Sequence, residues 1–412
     1  MTTSRRSAFP GATGSDIARG SALLHSVRLY RIRQRFASRR LDDVADALRR
    51  ELQTCGISIR PGARIAIAVG SRGIANLPVI VNAVVAWVHE HAAEPFIVPA
   101  MGSHGGATAE GQQKILEGFG LSGIVSSMEV VQLGPDTFID RHAFESDGVI
   151  LINRIKPHTS FHGTYESGLM KMLAVGLSKH AGATAIHRHG VAGLHERIPT
   201  VARQVLATGK ILFGVAIVDN ACDETMVVRA IPATRIPDEE PALLELARAN
   251  MPSLPIQQID LLIVDEIGKE ISGTGMDTNV IGRLRITGEP EPSSPRIKKI
   301  FVRDLRGDSA YGIGLADVTT RRLVEKTDWD VTNTNVQASG FFDRGKLPQV
   351  AESDEQALEF ALRGFQPDEA RVIRIRNTLH LENMLVSEPL LKEFAGRETI
   401  EVVGPARIWD AL

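Results

Sequence analysis

The run RIAIAV (64–69), followed by NLPVIVNAVVAWVHEH (76–91) and PFIVPA (95–100), decides the fold class. The outer two pieces are short, continuous apolar runs of strand length, and the middle one repeats its apolar side chains at helical spacing. Strand, crossover helix and strand make a parallel unit with a right-handed connection. Downstream, TAEGQQKILEGFG (108–120) reads as a helix with Thr108 as its N-cap and Glu110 and Gln112 in its first turn. VILIN (149–153) and KILFGVAIVDN (210–220) read as further buried strands.

A break comes at MPSLPIQQ (251–258), after which IDLLIVDEIG (259–268) opens a second α/β region. That region is expected to carry helices near 315–327, 354–365 and 382–395, a loop-rich stretch over 328–350, and strands RVIRIRN (371–377) and TIEVVG (399–404). The chain therefore reads as two α/β domains with mainly parallel sheets and an interdomain cleft. Residues 21–255 form the N-terminal domain, 256–412 form a C-terminal domain closing the cleft, and the small, polar 1–20 is a disordered N-terminus. Two arginines and few acids give that terminus a faint likeness to a transit peptide. No apolar h-region follows, and a cytoplasmic protein is the expected reading.

Composition excludes several classes. With 47 basic against 49 acidic residues the formal charge is −2, which argues against a mainly nucleic-acid-binding surface. Two cysteines, Cys55 and Cys222, are too few for a disulfide framework or a four-cysteine metal site. The longest apolar stretch, around Val79–Val88, is broken by Asn82 and followed by His89, so no membrane span is expected. The histidines are the anomaly. Of 12 in the chain, His158, His162, His180, His187, His189 and His195 fall within one short window, where Lys156, Lys171 and Lys179 also lie.

The loops after three strands carry the chemistry: GSRGIAN (70–76), MGSHGGAT (101–108) and RIKPHTSFHG (154–163). In open parallel sheets ligands bind beyond the carboxyl ends of the strands, which would put Arg72, His104, Lys156 and His158 on one rim. GSHGG sets a histidine between glycines that let the backbone approach a ligand; an incidental surface histidine in a tight turn is an equal alternative. Lys171, amid Leu169, Met170, Met172 and Leu173, could be desolvated and nucleophilic, or a snorkelling lysine at a helix edge. His187 and His189 form an H-x-H pair that suits nickel, copper, iron or zinc without naming one. In the second region ISGTGMDTNVIGR (271–283) could be an anion-contacting loop or a plain turn, and it lacks the dinucleotide fingerprint spacing. TNTNVQASGFFDRGKLP (332–348), with Phe341, Phe342, Arg344 and Lys346, could face a substrate or be ordinary surface.

GSHGGATAEGQ (102–112), RIKPHTSFHGTYESGLMKML (154–173) and the sixteen-residue interval from Lys171 to His187 together resemble the nickel-dependent lactate racemase superfamily of 2-hydroxyacid racemases and epimerases. That resemblance implies a nickel-pincer nucleotide, a pyridinium-3,5-bisthiocarboxylate mononucleotide, attached covalently to Lys171 and supplied by cofactor-synthesis proteins. It implies His187 as the protein's nickel ligand, and His104 and His158 as the two bases on opposite faces of the substrate carbon. It further implies Arg72 and Ser71 at the cofactor phosphate, and Asp277, Thr278 and Asn279 against cofactor or substrate. The expected partner is a small 2-hydroxyacid, with no nucleic acid or membrane, and the oligomeric state is open. The loop VGSRGIA departs from the family pattern around Arg72. The interval from His158 to Lys171 is wider than in lactate racemase, which makes His162 a reserve for His158.

The chemistry suits those roles. The carbon-bound proton of an unactivated 2-hydroxyacid is very weakly acidic, so hydride removal to an electron-poor ring is the easier route. Only the hydroxyl proton then needs a base on each face. Two other readings stay open at this stage. One is a zinc- or iron-dependent hydrolase or lyase ligated directly by His104, His158 and His187; the other is a cofactor- or ligand-binding homologue without turnover.

Overall fold

The computed structural model describes residues 27–71 and 73–412. The expectation for residues 1–20 lies outside the described residues. The chain divides into two compact units, one of residues 37–251 and one that joins the segment before residue 37 to 252–412. The division at 251 coincides with the proline-rich break. Strand β1 (Leu29–Gln34), assigned by sequence to the N-terminal domain, instead belongs to the second unit's sheet, where it pairs antiparallel with strands some 350 residues later. Its sequence LYRIRQ alternates apolar and cationic side chains, which gives no clue to so distant a partner.

In the first unit, β2 (Arg64–Val69) and β3 (Glu94–Pro99) flank the crossover helix Leu77–Glu90 as expected. A small hairpin, β4 (Val130–Gly134) and β5 (Thr137–Asp140), precedes β6 (Gly148–Arg154), β7 (Ile211–Asp219) and β8 (Thr225–Pro232). The main sheet runs β3-β2-β6-β7-β8, parallel except for the final pair. Ile65, Ile67 and Val69 face the same core as Ile150, Ile152, Val215 and Leu77 to Val88 of the helix, while Ala66 and Ala68 between them are equally buried on the other face. Burial on both faces is why these strands read as continuous apolar runs rather than alternating ones. Because β2, β3 and β6 are parallel neighbours, the loops after them share one rim.

The second unit holds β9 (Gln258–Ile267), β10 (Arg296–Leu305), β11 (Val318–Thr320), β12 (Gln349–Ala351), β13 (Val372–Ile375), β14 (Asn383–Ser387) and β15 (Ile400–Ala406). Its sheet runs β12-β11-β10-β9-β13-β14-β1-β15, with the first five parallel and the rest antiparallel. Leu261 and Ile263 pack into one core, and Leu262 and Val264 into the core on the opposite face.

Three expectations for this unit change. The helix expected at 315–327 is a strand, β11, followed by the helix Arg321–Lys326, which starts where Thr320 accepts the Leu323 N–H. The helix expected at 382–395 is likewise β14 and then Glu388–Phe394, with proline in its first turn. The stretch 328–350 contains a full helix, Trp329–Ser339, capped by Asp328 at its start and left-handed Gly340 at its end. Its polar sequence hid it, because helical periodicity is read from apolar residues. No described helix is long and apolar enough to cross a membrane.

Candidate active site

A cavity of about 270 Å³ opens at the carboxyl ends of β2, β3 and β6 in the first unit. Its walls include Ser71, His104, Arg154, Lys156 and Lys171, so four of the loops and segments singled out by sequence meet in one place. Arg72 lies outside the described residues. Asp277, Thr278 and Asn279 belong to the other unit and do not line this cavity. There Asp277 caps the short helix Thr278–Ile281 and accepts the Asn279 N–H, and Asp277 and Thr278 are buried.

The GSHGG loop is held from below. Buried Gln112, on the helix Ala109–Gly118, donates to the carbonyls of Gly102 at 2.7 Å and His104 at 3.3 Å. Its own carbonyl accepts from Lys179, which also donates to Pro99 O at 2.6 Å and faces Asp140 at 3.1 Å. Both members of that ion pair are fully buried. Gly102, Gly105 and Gly106 adopt positive φ, and a Cβ at Gly105 would collide with the Gly111 backbone. On this base His104 presents Nδ1 to Ser71 Oγ at 2.5 Å, joining two of the loops.

Lys171 ends the short helix Leu169–Lys171 and runs directly into a π-helical turn, Met172–Gly176. Such turns recur at functional sites because they re-aim side chains. Desolvation lowers the Lys171 ammonium to about 8, and the charge of Glu166 opposes that shift. Its Nζ stands 5.7 Å from the centre of the Phe161 ring. The same ring packs against His158 at 4.6 Å and edge-on against His195 at 5.4 Å. His158 is half-buried. Its backbone N–H donates to Glu166 and its Nδ1 accepts from Ser160 N at 3.0 Å. His162, the reserve, is exposed and leans on Glu166 at 3.3 Å.

His187 ends the helix Lys179–His187 and is exposed, although much of its imidazole is screened by surrounding protein atoms. Desolvation of its imidazole first, and the charge of Lys171 second, lower its pKa, so the ring is neutral. A neutral imidazole is the form that ligates a metal. Next to it Asp136 is gripped by Arg188, His189 and Arg197, so the second histidine of the H-x-H pair is a structural partner there. Among the described residues no group of three His, Cys, Asp or Glu side chains is placed to hold a metal ion, so His104, His158 and His187 do not form a joint zinc or iron site.

Sequence reasoning missed two buried acids. Glu166 has no exposed side chain and accepts from His158 N, Gly163 N and Arg248. Glu240 accepts the Met170 N–H. Both come from polar stretches, and nothing local in the sequence marks a carboxylate as buried. Arg344, in the stretch that could have faced a substrate or been ordinary surface, is wholly buried in the second unit and donates to Leu284 O.

Fold and cavity together define a two-unit α/β protein with an amine and an imidazole at the carboxyl ends of parallel strands. Its fold is that of the lactate racemase apoprotein from Thermoanaerobacterium thermosaccharolyticum, with a TM-score of 0.50 over 85% of this chain and 98% of that one at 12% identity. A structural-genomics protein from Thermotoga maritima is similar at a TM-score of 0.45 and 12% identity, over 73% and 81% of the two chains. No protein-family model and no curated protein sequence matches the chain.

Proposed function

We propose that this protein is a 2-hydroxyacid racemase or epimerase that uses a nickel-pincer nucleotide held by Lys171. The observation that supports it most is the joint placement of a desolvated lysine and the Ser71–His104 pair in one cavity, with a neutral imidazole inside the field of that lysine. The donor set fits the group. Lys171, lowered to about 8, has an amine able to form the covalent tether, and His187 offers one neutral nitrogen to nickel. Arg154 and Lys156 add positive charge for anionic groups.

When bound, the cofactor supplies an electron-poor ring that accepts a hydride from the substrate carbon and returns it. The residues of the chain do the rest. His104, oriented by Ser71, takes or returns the hydroxyl proton of one enantiomer. His158, steadied by Phe161 and the Ser160 N–H, does so for the other. The apolar lining from Met101, Met172 and Val175 limits water near the reacting carbon.

A screen of 2-hydroxyacids and aldonates with cofactor-loaded protein, read by chiral chromatography, tests this reading. Interconversion of one enantiomeric pair is expected, abolished in His104→Asn and His158→Asn. Retained cofactor with no conversion of any acid would leave a binding protein instead.

A further inference from the structure

The helix Ile236–Ala249 turns one stripe toward the segment that carries His158 and Lys171. Pro237, Glu240, Leu244 and Arg248 recur at the three- and four-residue spacing that puts side chains on one helix face. Leu244 is buried, and the other three each hold the segment by a polar contact. Pro241 has no N–H, so the carbonyl of Pro237 is left without its usual helical donor, and Tyr165 Oη donates to it at 2.7 Å. Glu240 accepts the Met170 N–H at 2.9 Å, and Arg248 donates to Glu166 at 2.7 Å. The segment itself is a loop closed at its neck. Lys156 and Ser167 exchange both backbone hydrogen bonds, at 2.9 and 3.1 Å, and Asn153 donates to Gly168 O at 2.8 Å. Just inside the neck, Glu166 reaches back across the loop. It accepts the His158 N–H at 2.6 Å and the Gly163 N–H at 3.1 Å, with His162 Nδ1 at 3.3 Å. Its side chain has no exposed surface, and the two N–H groups and Arg248 all donate to it, which suits a carboxylate that only accepts. Glutamine could not serve them all, since it offers one acceptor oxygen and turns a donor toward the rest.

We infer that Glu166, Arg248 and Glu240 are positioning residues, through which the helix Ile236–Ala249 acts as a splint that fixes the base His158 relative to the tether Lys171. This rests on the roles given to those two residues in the function proposed above. Glu240 holds the turn from which Lys171 projects, Arg248 holds Glu166, and Glu166 holds the backbone of His158. None of the three lines the cavity, so each acts through the residue it holds.

Three variants of the helix separate positioning from stability alone: Arg248→Ala, Arg248→Lys and Leu246→Gly. Arg248 is partly exposed, so its variants carry the test even if changes at the buried acids prevent folding. Leu246 is exposed and two residues from both Leu244 and Arg248, on the opposite side, where glycine weakens the helix without touching the stripe. In cofactor-loaded protein Arg248→Ala is expected to lower kcat about tenfold with KM within about twofold. Arg248→Lys keeps the charge and should recover most of that loss, and Leu246→Gly should leave kcat unchanged. Amide hydrogen exchange on the cofactor-free chain gives a second readout. Residues 158–171 should exchange at least about tenfold faster in Arg248→Ala, with little change in the other two variants. Unchanged exchange in Arg248→Ala overturns the inference. So does a kcat that lysine fails to restore, or one that falls as far in Leu246→Gly. A loaded chain that converts no 2-hydroxyacid defeats the proposed function instead, and the exchange measurement, which needs no cofactor, still decides whether the stripe holds the loop.

Discussion

The carboxyl of Glu240 accepts the backbone N–H of Met170 at 2.9 Å, one residue before Lys171. It reaches there from the helix Ile236–Ala249 only because residue 168 is glycine, where a Cβ would sit 2.2 Å from Oε1. Burial raises the Glu240 carboxyl to about 7, with the Met170 and Leu169 N–H groups opposing. The folded state thus holds a proton that the unfolded chain, near 4.5, has released. Its stabilising contribution is complete below about 4.5 and is lost as pH rises through 7. Denaturant melts at stepped pH should show stability falling across that window in the wild type, and a flatter profile in Glu240→Gln.

Gly168→Ala forces Glu240 away from the two amides it serves. A loss of about 2 kcal/mol is expected by chemical denaturation, from overpacking and from amides left without an acceptor. In a Gly168→Ala, Glu240→Ala double variant the clash disappears, so the two losses should not add.

The Lys171 amine should label as a group of pKa about 8 rather than 10.5. Acylation by a water-soluble reagent, quantified by peptide mass spectrometry, should therefore rise with pH through a midpoint near 8 at this residue. Glu166 holds that value up, so Glu166→Gln should move the midpoint lower. A midpoint in the ordinary lysine range would remove the case for a desolvated amine.

Lys179 and Asp140 form a fully buried ion pair beneath the GSHGG loop. Lys179→Met strands the Asp140 carboxylate, and a loss of about 3–5 kcal/mol is expected. Asp140 also caps the helix Arg141–Glu145 through the Ala143 N–H, a role asparagine keeps. Adding Asp140→Asn to Lys179→Met should therefore recover much of the loss.

The first unit was legible where local pattern and long-range pairing agree. RIAIAV, PFIVPA and VILIN are largely buried on both faces, so their apolar runs announced strands, and parallel order was expected to put Arg72, His104, Lys156 and His158 on one rim. The second unit was less legible for the opposite reason. The helix Trp329–Ser339 is built from TNTNVQ-type residues with few apolar positions, and β1 finds its partners only at the far end of the chain. In the site, His104 and Lys171 could be read from glycine spacing and an apolar surround. Phe161, the ring shared by Lys171, His158 and His195, could not, because a single aromatic in a polar loop looks the same whether it is a hub or a surface residue.

The central claim is the tether at Lys171, and intact-mass spectrometry of chain co-expressed with cofactor-synthesising proteins and nickel tests it most directly. The account predicts a single added mass equal to one cofactor, present in the wild type and absent in Lys171→Ala. It also predicts that His187→Ala keeps the mass and loses the nickel. No added mass on the wild type, or the same mass on Lys171→Ala, would contradict it.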